Sequence, residues 1–427
     1  MLGWTVTILL GLVFASVPVA AVLGILGLSL DYLYFDGRLG PAVGEITWDK
    51  SKEFILVAVP MFILLGEIML RAGIAQRMYN AVAQWLSFLP GGLMHANIGS
   101  CAIFAATSGS SVATAATVGT VAYPEIAKRG YNESLFLGSL AAGGTLGILI
   151  PPSINLILYG LITDTSVPEL YLAGIFPGLI LASLFMLMIV VACLFRRRWG
   201  GSGVDTNWRE RIRVLPDLLP PIMLFVVVVG SIYAGWATPT EAASIGVVFA
   251  LVLAAWNKSL NFQMLRDAFE GTMRTTATIM LIILAAIFLN TVLGFIGLTQ
   301  ALASFIEGLG LTPMQTILII VLFYLLLGMV METLSMMLTT VPLMFPIVTG
   351  LGFDGVWFGI LITVLMETAL ITPPIGVNLY VVHGIRGGGR FNEVAIGATP
   401  FVGVMILLLI LLIVYPEVAL WLPSQFY

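Results

Sequence analysis

LIPPSIN, Leu149 to Asn155, lies deep in an apolar stretch, and its two adjacent prolines forbid a continuous helix there. A second copy, LITPPIGVN, runs from Leu370 to Asn378. Each proline withholds an N–H from a carbonyl one turn upstream. In hydrocarbon such a carbonyl costs several kcal/mol unless protein, an ion or cavity water satisfies it. Two breaks of one spelling therefore mark places where irregular backbone lines something polar.

The surroundings are those of a membrane protein. Of 427 residues 59% are hydrophobic and 9% charged, and the mean hydropathy is +1.07. Soluble domains carry roughly 25% charged residues. Apolar runs of helical length recur from end to end, without the alternation or the roughly 10-residue segments of a membrane barrel. The expected fold class is an all-α polytopic membrane protein. A net charge of −4 argues against a nucleic-acid partner. Cys101 and Cys193 stand alone and read as small buried residues. His95 and His383 have no ligand partner at metal spacing and read as interfacial. No P-loop, HExxH or Ser–His–Asp set is present, which excludes an ATP motor or a recognisable hydrolase and points away from an enzyme. The N-terminus lacks a basic n-region and reads as a retained first span.

Apolar length places the spans, and Lys and Arg orient them. The first span is Trp4 to Leu30, followed by a mixed-charge loop to Lys52. Phe54 to Leu70 is the second. Gly73 to Pro90 is amphipathic at helical spacing and lies along the surface. Gly91 to Tyr123 begins and ends beside basic residues, so it reads as a re-entrant hairpin with TSGSS (Thr107 to Ser111) at its tip. Leu135 to Ile162 carries the first double proline, and Leu170 to Phe195 returns to Arg196–Arg198, the strongest cytoplasmic marker. Leu218 to Trp236, Glu241 to Trp256 and Thr275 to Phe295 follow. A second amphipathic stretch (Gly297 to Pro313), a second hairpin (Met314 to Val348), a second Pro-Pro segment (Phe358 to Val382) and a last span (Phe401 to Tyr415) complete the chain. That makes roughly nine spans and two hairpins. The N-terminus falls in the cytoplasm and the C-terminus outside.

Two halves share this order of parts. Gly73 and Gly297 are 224 residues apart, and Pro151 and Pro373 are 222 apart. One copy starts from outside and the other from inside, an inverted repeat of the kind that builds secondary transporters around midplane breaks. The divisions are 1–52 (first span and external loop), 53–195 (repeat 1, with hairpin 91–127 and broken helix 135–162) and 196–274 (cytoplasmic linker and spans). Repeat 2 is 275–427, with arm 297–313, hairpin 314–349 and broken helix 356–382.

Freed carbonyls and hydroxyls are ligands for a hard cation such as Na⁺, and helix N-termini suit a carboxylate. TSGSS faces GGTLGILIPP (Gly143 to Pro152) as one cation cage. Ser and Gly also let helices pack closely. In the second half Glu332, Thr333 and Ser335 face Glu367, Thr368, Thr372, Pro373 and Pro374. Intramembrane carboxylates are functional by default, yet Glu332 and Glu367 also suit a helix cap or a buried hydrogen bond. Asn155 and Asn378 can hold backbone groups or a substrate oxygen. Glu67 stands one turn from Arg71 and reads as an interfacial ion pair.

VPMFILLGEIMLRAG (Val59 to Gly73), SGSSVATAATVG (Ser108 to Gly119), GTLGILIPPSI (Gly144 to Ile154), AGIFPGL (Ala173 to Leu179), ATPTEAA (Ala237 to Ala243) and ITPPIGVNLYV (Ile371 to Val381) together resemble the large membrane subunit of tripartite ATP-independent periplasmic (TRAP) transporters. The resemblance covers nearly the whole chain. It implies an elevator-type fold in the bacterial inner membrane and Na⁺-driven import of a small organic acid such as a C4-dicarboxylate or sialic acid. It implies two partners, a separate small four-helix membrane subunit and a periplasmic substrate-binding protein. Carried onto this chain, one Na⁺ site uses Ser108, Gly109, Ser110 and Ser111 with Gly144, Gly147, Ile150 and Pro151. The other uses Glu332, Thr333, Thr368, Thr372 and Pro374. The substrate candidates are Thr107, Thr145, Pro152, Asn155, Ser335, Pro373 and Asn378. A stand-alone Na⁺- or H⁺-coupled antiporter or symporter is the alternative to a three-part importer.

Overall fold

The computed structural model describes residues 2–15, 17–202 and 207–426. Part of the linker within 196–274, and Ser16 of the first expected span, lie outside the described residues. The chain is helical throughout, and no strand occurs among the described residues. The helices are α1 (Leu2–Phe14), α2 (Val19–Phe35), α3 (Val43–Ser51), α4 (Ala58–Arg71), α5 (Ile74–Leu86), α6 (Leu93–Ser108), α7 (Ser111–Ala122), α8 (Pro124–Arg129), α9 (Glu133–Leu149), α10 (Ile154–Thr163) and α11 (Val167–Phe195). There follow α12 (Trp208–Val214), α13 (Leu219–Tyr233), α14 (Pro239–Trp256), α15 (Phe262–Phe295), α16 (Leu298–Gly308), α17 (Pro313–Gly328), α18 (Thr333–Gly350), α19 (Gly355–Leu370), α20 (Val377–Arg386), α21 (Phe391–Val414) and α22 (Glu417–Leu420).

The repeat is structural. The series α4, α5, α6–α7, α9–α10, α11 recurs as α15, α16, α17–α18, α19–α20, α21. The turns into the two arm helices, at Gly73 and Gly297, have φ of +71° and +70°, a conformation that only glycine adopts freely. Each broken helix starts on a side-chain cap. Asn132 accepts the Leu135 N–H at 2.9 Å, and Asp354 accepts the Trp357 N–H at 2.9 Å. These caps are also 222 residues apart. The inner hairpin helix of each half packs against the helix that follows the break of the other: α7 on α20, and α18 on α10. This exchange is what two copies related by a two-fold axis produce.

Both double prolines interrupt helix as expected, and both Pro–Pro bonds are cis. α9 and α10 bend by 42° across the first break, while the second opens a gap from Ile371 to Gly376. The first break is buried, whereas Pro373, Pro374 and Ile375 are exposed.

Several boundaries differ from the sequence reading. The first span is two helices, because Pro18 opens α2 without an N–H to continue α1. α2 then runs past Leu30 to Phe35. The mixed-charge loop is organised: buried Asp31 accepts the N–H groups of Leu39 (3.1 Å) and Gly40 (2.8 Å), and α3 follows. α15 starts at Phe262, capped by Asn261, so the division at 275 cuts a helix of 34 residues, about 50 Å long at the α-helical rise. α21 starts ten residues before Phe401. Among the described residues seven helices are long and apolar enough to cross a membrane, and the bent pair α9–α10 makes an eighth. Roughly nine had been expected. One of the seven is α18, the inner arm of the second hairpin, and the first and second-break segments drop out because neither contains one long helix.

Candidate functional site

The first hairpin turns at Gly109, whose φ is +58°. Ser110 leaves the turn extended and caps α7, its Oγ accepting the Ala113 N–H at 3.4 Å. Ser108 Oγ hydrogen-bonds Thr114 Oγ1 at 2.8 Å, which closes the tip on itself. The tip rests on the first break with no room for side chains between. A Cβ on Gly109 would lie 2.9 Å from the Pro152 carbonyl oxygen, and one on Gly147 would lie 2.7 Å from that of Ser110. A Cβ on Gly144 would lie 3.1 Å from the Ser111 carbonyl oxygen. Carbonyls of the tip thus face bare backbone on α9. There the carbonyls of Gly147 and Ile148 lack their usual donors, because residues 151 and 152 are prolines. Ile150 still donates to Leu146 at 3.0 Å.

The second tip is built differently. Glu332 caps α18: its Oε2 accepts the N–H and the Oγ–H of Ser335, both at 3.1 Å, and its Oε1 accepts from Thr333 Oγ1 at 3.1 Å. Gly328 brings this hairpin against Ala369, just before the second break. The structure therefore sets each tip against the break of its own repeat.

Between the tips lies a cavity of 450 Å³. Its lining takes Ser108–Ala113 from the first hairpin, Ile154 and Asn155 from α10, Glu332, Thr333 and Leu334 from the second hairpin, and Val377 from α20. These residues sit at the first turns of α7, α10, α18 and α20, so four helix N-termini converge on one space. α10 is capped by Ser153, which accepts the Leu156 N–H at 3.3 Å, and α20 starts at Gly376 with no side-chain cap. Asn155 is buried, and its Nδ2 has no hydrogen-bond partner. Glu332 already meets the positive end of α18, so the partial positive charges left facing the cavity are those of α7, α10 and α20; with the spare Asn155 amide they favour an anion, while the Glu67 and Glu332 carboxylates on the same lining oppose one.

Other candidates stand back from the cavity. The hydroxyls of Thr107, Thr145 and Thr368 donate to the carbonyls of Phe104, Ala142 and Val364 within their own helices, and that of Thr372, just past the end of α19, donates to the Thr368 carbonyl. Ile150, Pro151 and Pro152 are buried at the break, Ser335 is buried beneath the Glu332 cap, and Pro373 and Pro374 are exposed away from it. Asn378 holds backbone: its Nδ2 donates to the Ala141 carbonyl at 3.2 Å. His95 closes onto the Pro90 carbonyl at 2.9 Å.

Sequence reasoning missed one cavity residue, Thr275, the place of Glu67 on the cavity, and one contact between residues it had named apart, Ser111 and Glu367. Glu67 does pair with Arg71, but it also lines the cavity, beside Ile63 and Gly66. Thr275 reaches the same space from α15. Ser111 Oγ lies 2.9 and 2.8 Å from the two carboxyl oxygens of Glu367, a fully buried residue of the other repeat. Among the described residues no group of three His, Cys, Asp or Glu stands together to hold a metal, so a cation here would draw on hydroxyls and carbonyls.

A large permease protein for C4-dicarboxylates from Vibrio cholerae is 32% identical, with 98% of this chain and 96% of that one aligned. A sialic acid TRAP large permease from the same organism is 30% identical over 99% of this chain and 97% of its own. The crystal structure of the Alcanivorax borkumensis YdaH transporter superimposes with a TM-score of 0.67 at 16% identity, covering 97% of this chain and 98% of that one, a likeness of fold. Residues 6–418 match the family model of the tripartite ATP-independent periplasmic transporter, DctM component, and the chain belongs to that family of multi-pass membrane proteins.

Proposed function

We propose that this chain is the permease of a Na⁺-coupled importer for a small organic acid, such as a C4-dicarboxylate or sialic acid. The observation that carries the reading is the convergence of four helix N-termini and the unpartnered Asn155 amide on one cavity. Its 450 Å³ falls within the roughly 300–1,000 Å³ usual for small-molecule sites. A carboxylate there is stabilised by helix dipoles, with Asn155 as donor. Relatives named for C4-dicarboxylate and sialic acid transport support the substrate class.

Na⁺ is written here as co-transported cargo. The first tip suits it, because the Ser110 and Ser111 carbonyls face the bare backbone of Gly147 and Gly144, with the Ser108 hydroxyl at the same tip. At the second tip Glu332 is engaged as a cap, while the Thr368 and Thr372 hydroxyls donate to the Val364 and Thr368 carbonyls and keep their oxygen lone pairs for a cation. The hairpins and broken helices form the body that moves, and α5 and α16 are the arms that tie it to the remaining spans. A small four-helix membrane subunit packs beside the chain, and a periplasmic binding protein delivers the substrate. The assembly sits in the bacterial inner membrane with the N-terminus cytoplasmic and the C-terminus periplasmic.

The test is uptake into proteoliposomes that contain the permease, its small subunit and its binding protein. A Na⁺ gradient should drive accumulation of the acid, and replacing Na⁺ by choline should abolish it. Equal uptake under a proton gradient without Na⁺ refutes the ion assignment. Full uptake by the permease alone refutes the three-part assembly in favour of a stand-alone carrier.

A further inference from the structure

Glu367 lies on α19, one turn before the second break, and is fully buried. No ion pair among the described residues reaches it. Its polar contact is Ser111 Oγ, at 2.9 Å from one carboxyl oxygen and 2.8 Å from the other. A carboxylate at membrane depth without an opposing charge is costly, and it persists where it serves a cation or a substrate. The cavity is lined by Ser111, while Glu367 stands behind it on the opposite repeat and is not among the lining residues. The same Ser111 presents its carbonyl to Gly144, beside the Ser110 carbonyl that faces Gly147.

We propose that Glu367 supplies the negative charge behind the cation site of the first hairpin tip, so that an ion held by repeat 1 is neutralised by repeat 2. The carboxylate acts at one remove, through Ser111 and through the field, and it need not touch the ion. The arrangement makes the two halves cooperate. Cation binding relieves an uncompensated charge on α19 and thereby holds the first tip against the second broken helix. This inference rests on the Na⁺ reading above.

The experiment is a Na⁺ titration of thermal stability on the full chain with its small membrane subunit, with choline chloride holding ionic strength constant. Wild type should melt at higher temperature as Na⁺ rises. In Glu367→Gln and Glu367→Leu the Na⁺ concentration for half the effect should rise about tenfold or more. Their melting temperatures in choline should equal or exceed wild type, because without the ion a fully buried carboxyl is costly, whether it stays charged or takes up a proton. If either folded variant keeps the wild-type half-effect concentration, Glu367 is only a hydrogen-bond partner of Ser111 and the proposal fails. If neither variant folds, the carboxylate is needed without the ion, and the proposal fails too. If wild type itself shows no response to Na⁺, the Na⁺ reading fails first, which separates the two failures.

Discussion

Gly147→Ala tests whether the first hairpin tip must dock on the first break. The new Cβ would lie 2.7 Å from the Ser110 carbonyl oxygen, 2.8 Å from its carbon and 2.9 Å from the Ser111 Cα. All three are backbone atoms at a tight turn, so no flexible side chain can swing aside. Ordinary contact for such pairs is 3.4–4 Å. The tip must therefore retreat by more than half an ångström. Overpacking of this kind costs about 1–3 kcal/mol. On the proposed mechanism the hairpin moves, so the cost falls on the docked state relative to the undocked one. At about 1.4 kcal/mol per tenfold, docking weakens by roughly 5- to 150-fold. Na⁺-driven uptake in proteoliposomes should fall by about tenfold or more, and the Na⁺ concentration for half-maximal uptake should rise. A control glycine of α21, Gly403, has nothing within 4 Å of its Cβ position, and Gly403→Ala should leave uptake unchanged. Wild-type uptake and Na⁺ dependence in Gly147→Ala would refute the docking argument.

Two further substitutions probe the cavity. Asn155→Ala removes a buried amide whose Nδ2 has no partner, so the melting temperature should hold, while KM for the acid rises about tenfold or more through loss of a hydrogen bond to a charged oxygen; an unchanged KM would remove Asn155 from the substrate site. Glu332→Ala deletes the cap of α18 and should destabilise the chain by about 1 kcal/mol, while Glu332→Asp keeps an acceptor for the Ser335 N–H and most of that stability; equal melting of Glu332→Ala and wild type would show that the cap contributes nothing.

The sequence carried the fold at the level of local chemistry. Pro151–Pro152, Pro373–Pro374 and the Gly73 and Gly297 turns act on neighbours one turn away, and each feature occurs twice at nearly one spacing. Hairpin tips were legible for the same reason: Ser110 is a good cap, and Gly109 adopts a left-handed turn freely. Helix ends were less legible. α15 extends 13 residues before Thr275, where charged residues on an exposed helix surface resemble a loop in hydropathy alone. The partners of the four threonine hydroxyls were not legible, because a threonine in or just past a helix can bond the carbonyl three or four residues back, and hydropathy does not record that bond.

The Ser111–Glu367 contact was beyond reach for a different reason. It joins residues 256 apart, one on the inner hairpin helix of repeat 1 and one on the first segment of the second broken helix. No periodicity encodes it, because it arises only when two interlocked halves pack. An inverted repeat announces that such cross-contacts exist, since the inner hairpin helix of each half packs on the helix that follows the break of the other, but it does not name the pairs. Symmetry does not supply them either. Position 111 shifted by 222 falls at Thr333, which hydrogen-bonds its own neighbour Glu332, and Glu367 shifted back by 222 falls at Thr145, which bonds the Ala142 carbonyl. The buried carboxylate is thus present in one half alone. This asymmetry gives the two halves of a symmetric scaffold unequal electrostatics.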